Sequence, residues 1–130
     1  MPSAPTFYPT LSYADPRAAI DWLTRAFGFT LKVAYDAPDG SVAHAEMTFG
    51  DGMVMFGSKK NQPAWLQPGL QSIYVHVADA DAHYDRAKAA GARIVREIED
   101  TNYGSREYTA CDPDGHFWHF GTYRPEVDRG

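Results

Sequence analysis

The sequence predicts an α+β fold of two βαβββ repeats, their strands forming a curved mixed sheet trough with the helices on its outer face. Three observations lead there. Strand-like runs outnumber helical ones. Each of the two helical segments carries the same capping signals and is followed by three strand-like runs. Turn and cap residues of the first half return in the second at a nearly constant offset: Gly28 to Gly91 is 63 residues (91 − 28), Gly52 to Gly115 is 63 (115 − 52), Asp15 to Asp79 is 64 (79 − 15) and Gly57 to Gly121 is 64 (121 − 57). Agreement of element type, order and spacing is the mark of an internal duplication. A four-stranded sheet with one helix covers only one of its faces, so the uncovered faces of both repeats are expected to meet in a trough, the natural place for a ligand.

Each element has its own local reason. Leu11 and Tyr13 alternate with Thr10 and Ser12, a short strand with one apolar face. Asp15-Pro16-Arg17 then opens a helix, the aspartate capping free N–H groups and the proline pre-set for the first turn. Ile20, Leu23 and Phe27 fall at helical spacing, and Gly28 ends the run. Strands follow at Thr30 to Asp36, Val42 to Phe49 and Met53 to Phe56, separated by Pro38-Asp39-Gly40 and Asp51-Gly52, whose glycines suit tight turns. The second half repeats the series. Ile73, Val75 and Val77 alternate with polar neighbours, and a helix runs from about Ala80 to Ala90 behind Asp79 or Asp81, with Tyr84 and Ala87 inward and Gly91 as terminator. Strands at Ala92 to Ile98, Arg106 to Cys111 and His116 to Tyr123 complete it, separated by Asn102-Tyr103-Gly104 and Asp112-Pro113-Asp114-Gly115.

With 130 residues the chain suits one domain, 1–130, made of repeats at about 6–60 and 71–124 joined by a proline-bearing linker, 61–70. Twelve Lys and Arg against seventeen Asp and Glu give a net charge of −5, which argues against nucleic acid as a partner. No apolar run has the length of a membrane span, and the start Met1-Pro2-Ser3-Ala4-Pro5 lacks a secretory pattern, so a cytoplasmic protein without membrane partners is expected. A single cysteine, Cys111, excludes an internal disulfide and a cysteine zinc cluster; it is read as packing. Aromatic residues make up 14% of the chain, which means either core filling or the lining of a site for a flat or apolar ligand.

Beyond periodicity, several fragments carry a family resemblance. They are Leu11-Ser12-Tyr13-Ala14-Asp15, Ala18 to Leu23 with Ala26-Phe27-Gly28-Phe29, and Tyr74 to Asp79 with Ala89-Ala90-Gly91-Ala92. The strongest is Gly104 to Tyr108 running into Asp112-Pro113-Asp114-Gly115-His116-Phe117-Trp118-His119-Phe120-Gly121-Thr122-Tyr123. In order and spacing the chain resembles the vicinal-oxygen-chelate superfamily, which holds glyoxalase I, extradiol dioxygenases and bleomycin-resistance proteins, and is most similar to the metal-free bleomycin-resistance type. The resemblance implies a homodimer that sequesters a drug, and hence antibiotic resistance. For metal-dependent members it implies four His, Gln or Glu ligands, one from the first and last strand of each repeat. Those places fall near Tyr8, Met55, Ser72 and His119, of which only His119 is an ordinary ligand type. No bound metal or other cofactor is therefore expected, a divalent ion being the alternative.

By strand alternation Tyr8, Met53, Met55, Tyr74, Tyr108 and Phe117 are candidates to line the trough, with ordinary core packing as the competing reading. His76 and His119 sit between apolar residues that the helix should take, and so face the same way as these candidates. Trp65 in the linker either folds over the mouth or anchors the loop. Arg106 and Glu107 read as a surface ion pair and His83 as a solvated helix residue. The expected function is metal-independent binding of a small apolar or aromatic molecule. The alternative is a glyoxalase-like lyase, isomerase or dioxygenase using a metal or a general base such as His119 or Glu46.

Overall fold

Both helices begin where an aspartate offers its carboxylate to a bare N–H group. Asp15 accepts from the Ala18 N–H at 3.2 Å and Asp79 from the Ala82 N–H at 3.0 Å, starting α1 (Pro16–Phe27) and α2 (Ala80–Ala89). Gly28 (φ 81°) and Gly91 (φ 88°) take the left-handed conformation that stops each helix. The structure, a computed structural model, describes residues 5–66 and 70–126. It divides into two compact units, Met1–Gly69 and Leu70–Gly130.

In the first unit β1 (Thr10–Tyr13), β2 (Thr30–Asp36), β3 (Val42–Phe49) and β4 (Gly52–Ser58) form a mixed sheet in the order β1-β4-β3-β2. In the second, β5 (Ile73–His76), β6 (Arg93–Asp100), β7 (Arg106–Cys111) and β8 (Phe117–Gly121) repeat the arrangement as β5-β8-β7-β6. The first strand of each unit runs parallel to the last, and the other pairs are antiparallel. The βαβββ repeat is thus present twice.

One face of each sheet packs on its helix. Leu23, Ala26 and Phe27 of α1 are buried with Ala45, Met47, Val54 and Phe56. On α2 the buried residues are Ala80, Tyr84 and Ala87, against Tyr108, Ala110, Trp118 and Phe120 of the sheet. The repeat partner of Phe56 by register is Phe120, since both lie on the last strand opposite a helix-facing residue of the neighbouring antiparallel strand, Ala45 and Tyr108 respectively.

Several expected boundaries move. The strand expected over Met53–Phe56 extends to Gly52–Ser58, that over Ala92–Ile98 runs Arg93–Asp100, and that over His116–Tyr123 shortens to Phe117–Gly121. The turn expected at Asp51-Gly52 has its positive φ at Gly50 (φ 59°), two residues before Gly52, because Gly52 already pairs with Phe49 as the first residue of β4. A 3-10 turn over Lys59–Asn61 ends on the first residue of the linker expected at 61–70, and linker residues 67–69 lie outside the described residues.

The Asp112 turn shows why the Asp112-Pro113-Asp114-Gly115 part of the strongest sequence motif is structural. Its carboxylate is buried and accepts from the backbone N–H groups of Asp114 (3.0 Å) and His116 (2.9 Å) and from Trp118 Nε1 (3.1 Å). A single side chain therefore closes the β7–β8 hairpin and fixes the core tryptophan.

Candidate functional site

Strand alternation that buries Trp118 and Phe120 under α2 sends Phe117, His119 and Gly121 to the opposite face of the second sheet, beside Tyr74 and His76 of β5 and Glu107 and Thr109 of β7. The polar groups there form a continuous network. His119 Nδ1 is 2.7 Å from Thr109 Oγ1, and its Nε2 is 2.9 Å from the exposed Ser72 Oγ. Arg96 donates from Nε to Thr109 Oγ1 (3.0 Å) and from a terminal nitrogen to Glu107 (3.2 Å), while its other terminal nitrogen pairs with Glu99 (3.1 Å). The Tyr103 hydroxyl donates to Glu107 at 2.8 Å, and the Tyr74 hydroxyl donates to the Tyr123 carbonyl at 2.5 Å. Gly121 allows this crowding: a Cβ there would lie 2.6 Å from Glu107 Cγ and 2.7 Å from the Tyr74 hydroxyl.

Glu107, only 3% exposed, is therefore not half of a surface pair with Arg106. Arg106 turns to Asp81 (3.1 Å) and Asp100 (3.3 Å) instead. Burial opposes ionisation of Glu107, but hydrogen bonds from Tyr103, Ser105 and Arg96 outweigh it and hold the carboxyl below its ordinary range. Burial, together with the Arg96 charge and against the Glu107 charge, pushes the His119 imidazole pKa down, which favours the neutral ring. Burial pushes the Tyr74 phenol up, aided by the Glu107 charge.

Tyr108 was expected to line the trough, and the structure corrects this. It is fully buried on the helix side, its hydroxyl 2.6 Å from His83 Nδ1 and its ring stacked on Phe120 with centroids 5.2 Å apart. The β7 alternation places Glu107 and Thr109 away from the helix, so Tyr108 must face it. His83, expected in solvent, is half-buried for the same reason and also packs on Phe120. Of the remaining candidates, Tyr74, His76, Phe117 and His119 share the helix-free face of the second sheet. The His76 Nδ1 is buried with no hydrogen-bond partner among the described residues.

The first unit holds the rest. Met53 and Met55 lie on the helix-free face of its sheet, opposite Thr48 and Glu46. Glu46 meets His44 Nε2 at 2.9 Å and Lys32 at 3.9 Å. Tyr8 is half-buried ahead of β1, and Trp65 is 80% exposed. Sequence reasoning missed Thr109, Arg96 and Tyr103 as members of a site. The signal available was the alternation of β7 itself, which puts Glu107 and Thr109 on one face with His119.

The residues at the family's metal-ligand places do not fit a divalent ion. Of Tyr8, Met55, Ser72 and His119 only the histidine is a strong donor, and both its ring nitrogens are engaged by hydroxyls. Among the described residues no group of three or more His, Cys, Asp or Glu could hold a metal. The Nδ1 of His119 meets a hydroxyl rather than a carboxylate.

Comparison with known proteins agrees with this architecture. The family model described as Glyoxalase/Bleomycin resistance protein/Dioxygenase superfamily matches residues 7–120. Protein Rv0887c of Mycobacterium tuberculosis is 33% identical over 132 residues, covering 95% of this chain and 78% of its own length. Protein Mb0911c of Mycobacterium bovis is also 33% identical, covering 95% of this chain and 87% of its own length. Among solved structures, TioX from Micromonospora sp. ML1 is 34% identical, with a TM-score of 0.74 over 91% of this chain and 99% of that one. A protein from Sphaerobacter thermophilus DSM 20745, 20% identical, has a TM-score of 0.75 over 92% and 97% of the two chains, a likeness of fold. No helix among the described residues is long and apolar enough to cross a membrane.

Proposed function

Because the chain belongs to the glyoxalase/bleomycin resistance protein/dioxygenase superfamily, we propose that it binds a small apolar or aromatic molecule without a metal, sequestering it in the manner of a bleomycin-resistance protein. The observation that carries this reading is the helix-free face of the second sheet. Exposed Tyr74 and Phe117 border His119 there, whose ring nitrogens are both committed to hydroxyls. Aromatic surface with a few fixed polar groups suits a flat organic ligand, whereas a metal site needs several free, converging donors. Within the first unit, Met53 and Met55 give the helix-free face of its own sheet an adaptable apolar surface. A cytoplasmic homodimer with an antibiotic as cargo completes the proposal.

The test is a thermal-shift screen with glycopeptide and aromatic antibiotics, with metal analysis of protein purified without chelator. A ligand at 100 times its dissociation constant adds about 2.7 kcal/mol of stability and raises the midpoint. Loss of that shift in Phe117→Ser ties it to this face. A screen in which no compound moves the midpoint, or stoichiometric metal lost on His119→Ala, rules the proposal out.

A further inference from the structure

We propose that Ser72 is the specificity-determining donor of this face: a directed hydrogen-bond chain from Arg96 leaves its hydroxyl hydrogen free for an acceptor oxygen, a carbonyl or phenolate, on the bound ring. The inference rests on the small-molecule reading and adds the ligand's chemistry. Its basis is an accounting of protons. A guanidinium only donates, so Thr109 Oγ1 must accept at its 3.0 Å contact with Arg96 Nε. Thr109 has one hydrogen, and among the described residues the other partner of its hydroxyl is His119 Nδ1 at 2.7 Å. Donation there makes Nδ1 the acceptor, which places the ring proton on Nε2. That proton goes to Ser72 Oγ at 2.9 Å. Ser72 therefore accepts from the protein and keeps its own hydrogen, and no other described side chain bonds to this exposed hydroxyl.

Reversing the chain would give Thr109 two donors to accept, leave its hydrogen without a partner and put the imidazole N–H toward the guanidinium. Chains of hydrogen bonds polarise one another, so a hydroxyl that accepts at one side donates better at the other. The direction of the chain thus decides which ligand edge is recognised: an acceptor as drawn, a donor if reversed.

Two measurements test this. Long-range proton–nitrogen correlation spectra of histidine-labelled protein, with the His119 signals assigned by their loss in His119→Gln, should show the Nε2–H tautomer at pH 7. Thr109→Val should disturb that tautomer and Thr109→Ser restore it. The Nδ1–H tautomer or an imidazolium in the unsubstituted protein overturns the proposal. Calorimetric titration then compares 2-acetylnaphthalene with 2-ethylnaphthalene, which match in shape and differ in the carbonyl. The ketone should bind about fivefold tighter, as one net hydrogen bond implies. Ser72→Ala should remove that preference and leave the hydrocarbon's affinity unchanged. Equal affinities for the two in the unsubstituted protein overturn the inference while sparing the small-molecule reading. Binding of neither probe counts against that reading, and the nitrogen spectra then decide the proton chain alone.

Discussion

The two units share strand order, helix position and cap chemistry, yet their helix-free faces have diverged. Where the second sheet has His119 on its last strand opposite Thr109, the first has Met55 opposite Glu46. Where the second has Glu107 tied to Arg96 and Tyr103, the first has His44 against Glu46 with the Tyr35 ring stacked over it, centroids 6.3 Å apart. The helix-facing sides stayed apolar in both, with Val54 and Phe56 in one and Trp118 and Phe120 in the other. The repeat thus keeps apolar the face that each helix covers and lets the opposite face differ, which is how one fold comes to carry many functions.

Breaking the second core should produce the largest effect. Trp118→Ala removes a fully buried ring and the partner of Asp112, and should cost about 3–5 kcal/mol in urea unfolding. A cost near that of a surface change would mean that the Asp112 turn does not organise the second unit. Next come the paired glycines of the last strands. In Gly57→Ala the new Cβ would lie 2.7 Å from the Ala43 backbone oxygen, whereas in Gly121→Ala it meets side chains of Glu107 and Tyr74. Each should cost about 1–3 kcal/mol, Gly57→Ala by pressing on backbone and Gly121→Ala by displacing the buried Glu107 side chain. The Gly121 variant should also perturb the polar network, read as a changed Tyr103 or Tyr74 environment.

The helix caps offer a more even comparison: Asp15→Ala and Asp79→Ala should each cost about 1 kcal/mol, measured by thermal unfolding. Acid titration separates the faces. Glu107 has a folded pKa below 4.5, so it binds fewer protons in the folded state. Its contribution is complete above that ordinary value and is lost as pH falls through the lower folded one. The stability gap between the unsubstituted protein and Glu107→Gln should therefore be widest at pH 7 and shrink below pH 4.5. A gap that stays constant with pH would show that the carboxylate charge does not matter. The smallest effect is expected for the exposed Asp21–Arg25 pair of α1, where Asp21→Asn should change stability by less than about 0.5 kcal/mol.

Much of the fold was legible because it depends on local rules. Asp15 and Asp79 cap helices through contacts three residues away, and Gly28, Gly40 and Gly115 take the positive φ their turns need. Strand limits at Thr30–Asp36, Val42–Phe49 and Arg106–Cys111 follow directly from alternation. The site was less legible because it depends on register between strands distant in sequence. Arg96 reaches Thr109 and Glu107 only after bulges in the β6–β7 pairing, and Tyr108 changes sides once Glu107 is known to face away from α2. A polar residue such as Glu107 in a strand also looks like a surface residue until its three partners are in place.

The three tryptophans report on three different places by their light. Trp118 is sealed in the second core, Trp22 lies half-covered against Phe27 in the first unit with centroids 4.9 Å apart, and Trp65 stands in solvent. Iodide should quench Trp65 first and leave the blue-shifted emission of Trp118 almost untouched, so single-tryptophan variants would let each unit's melting be watched separately.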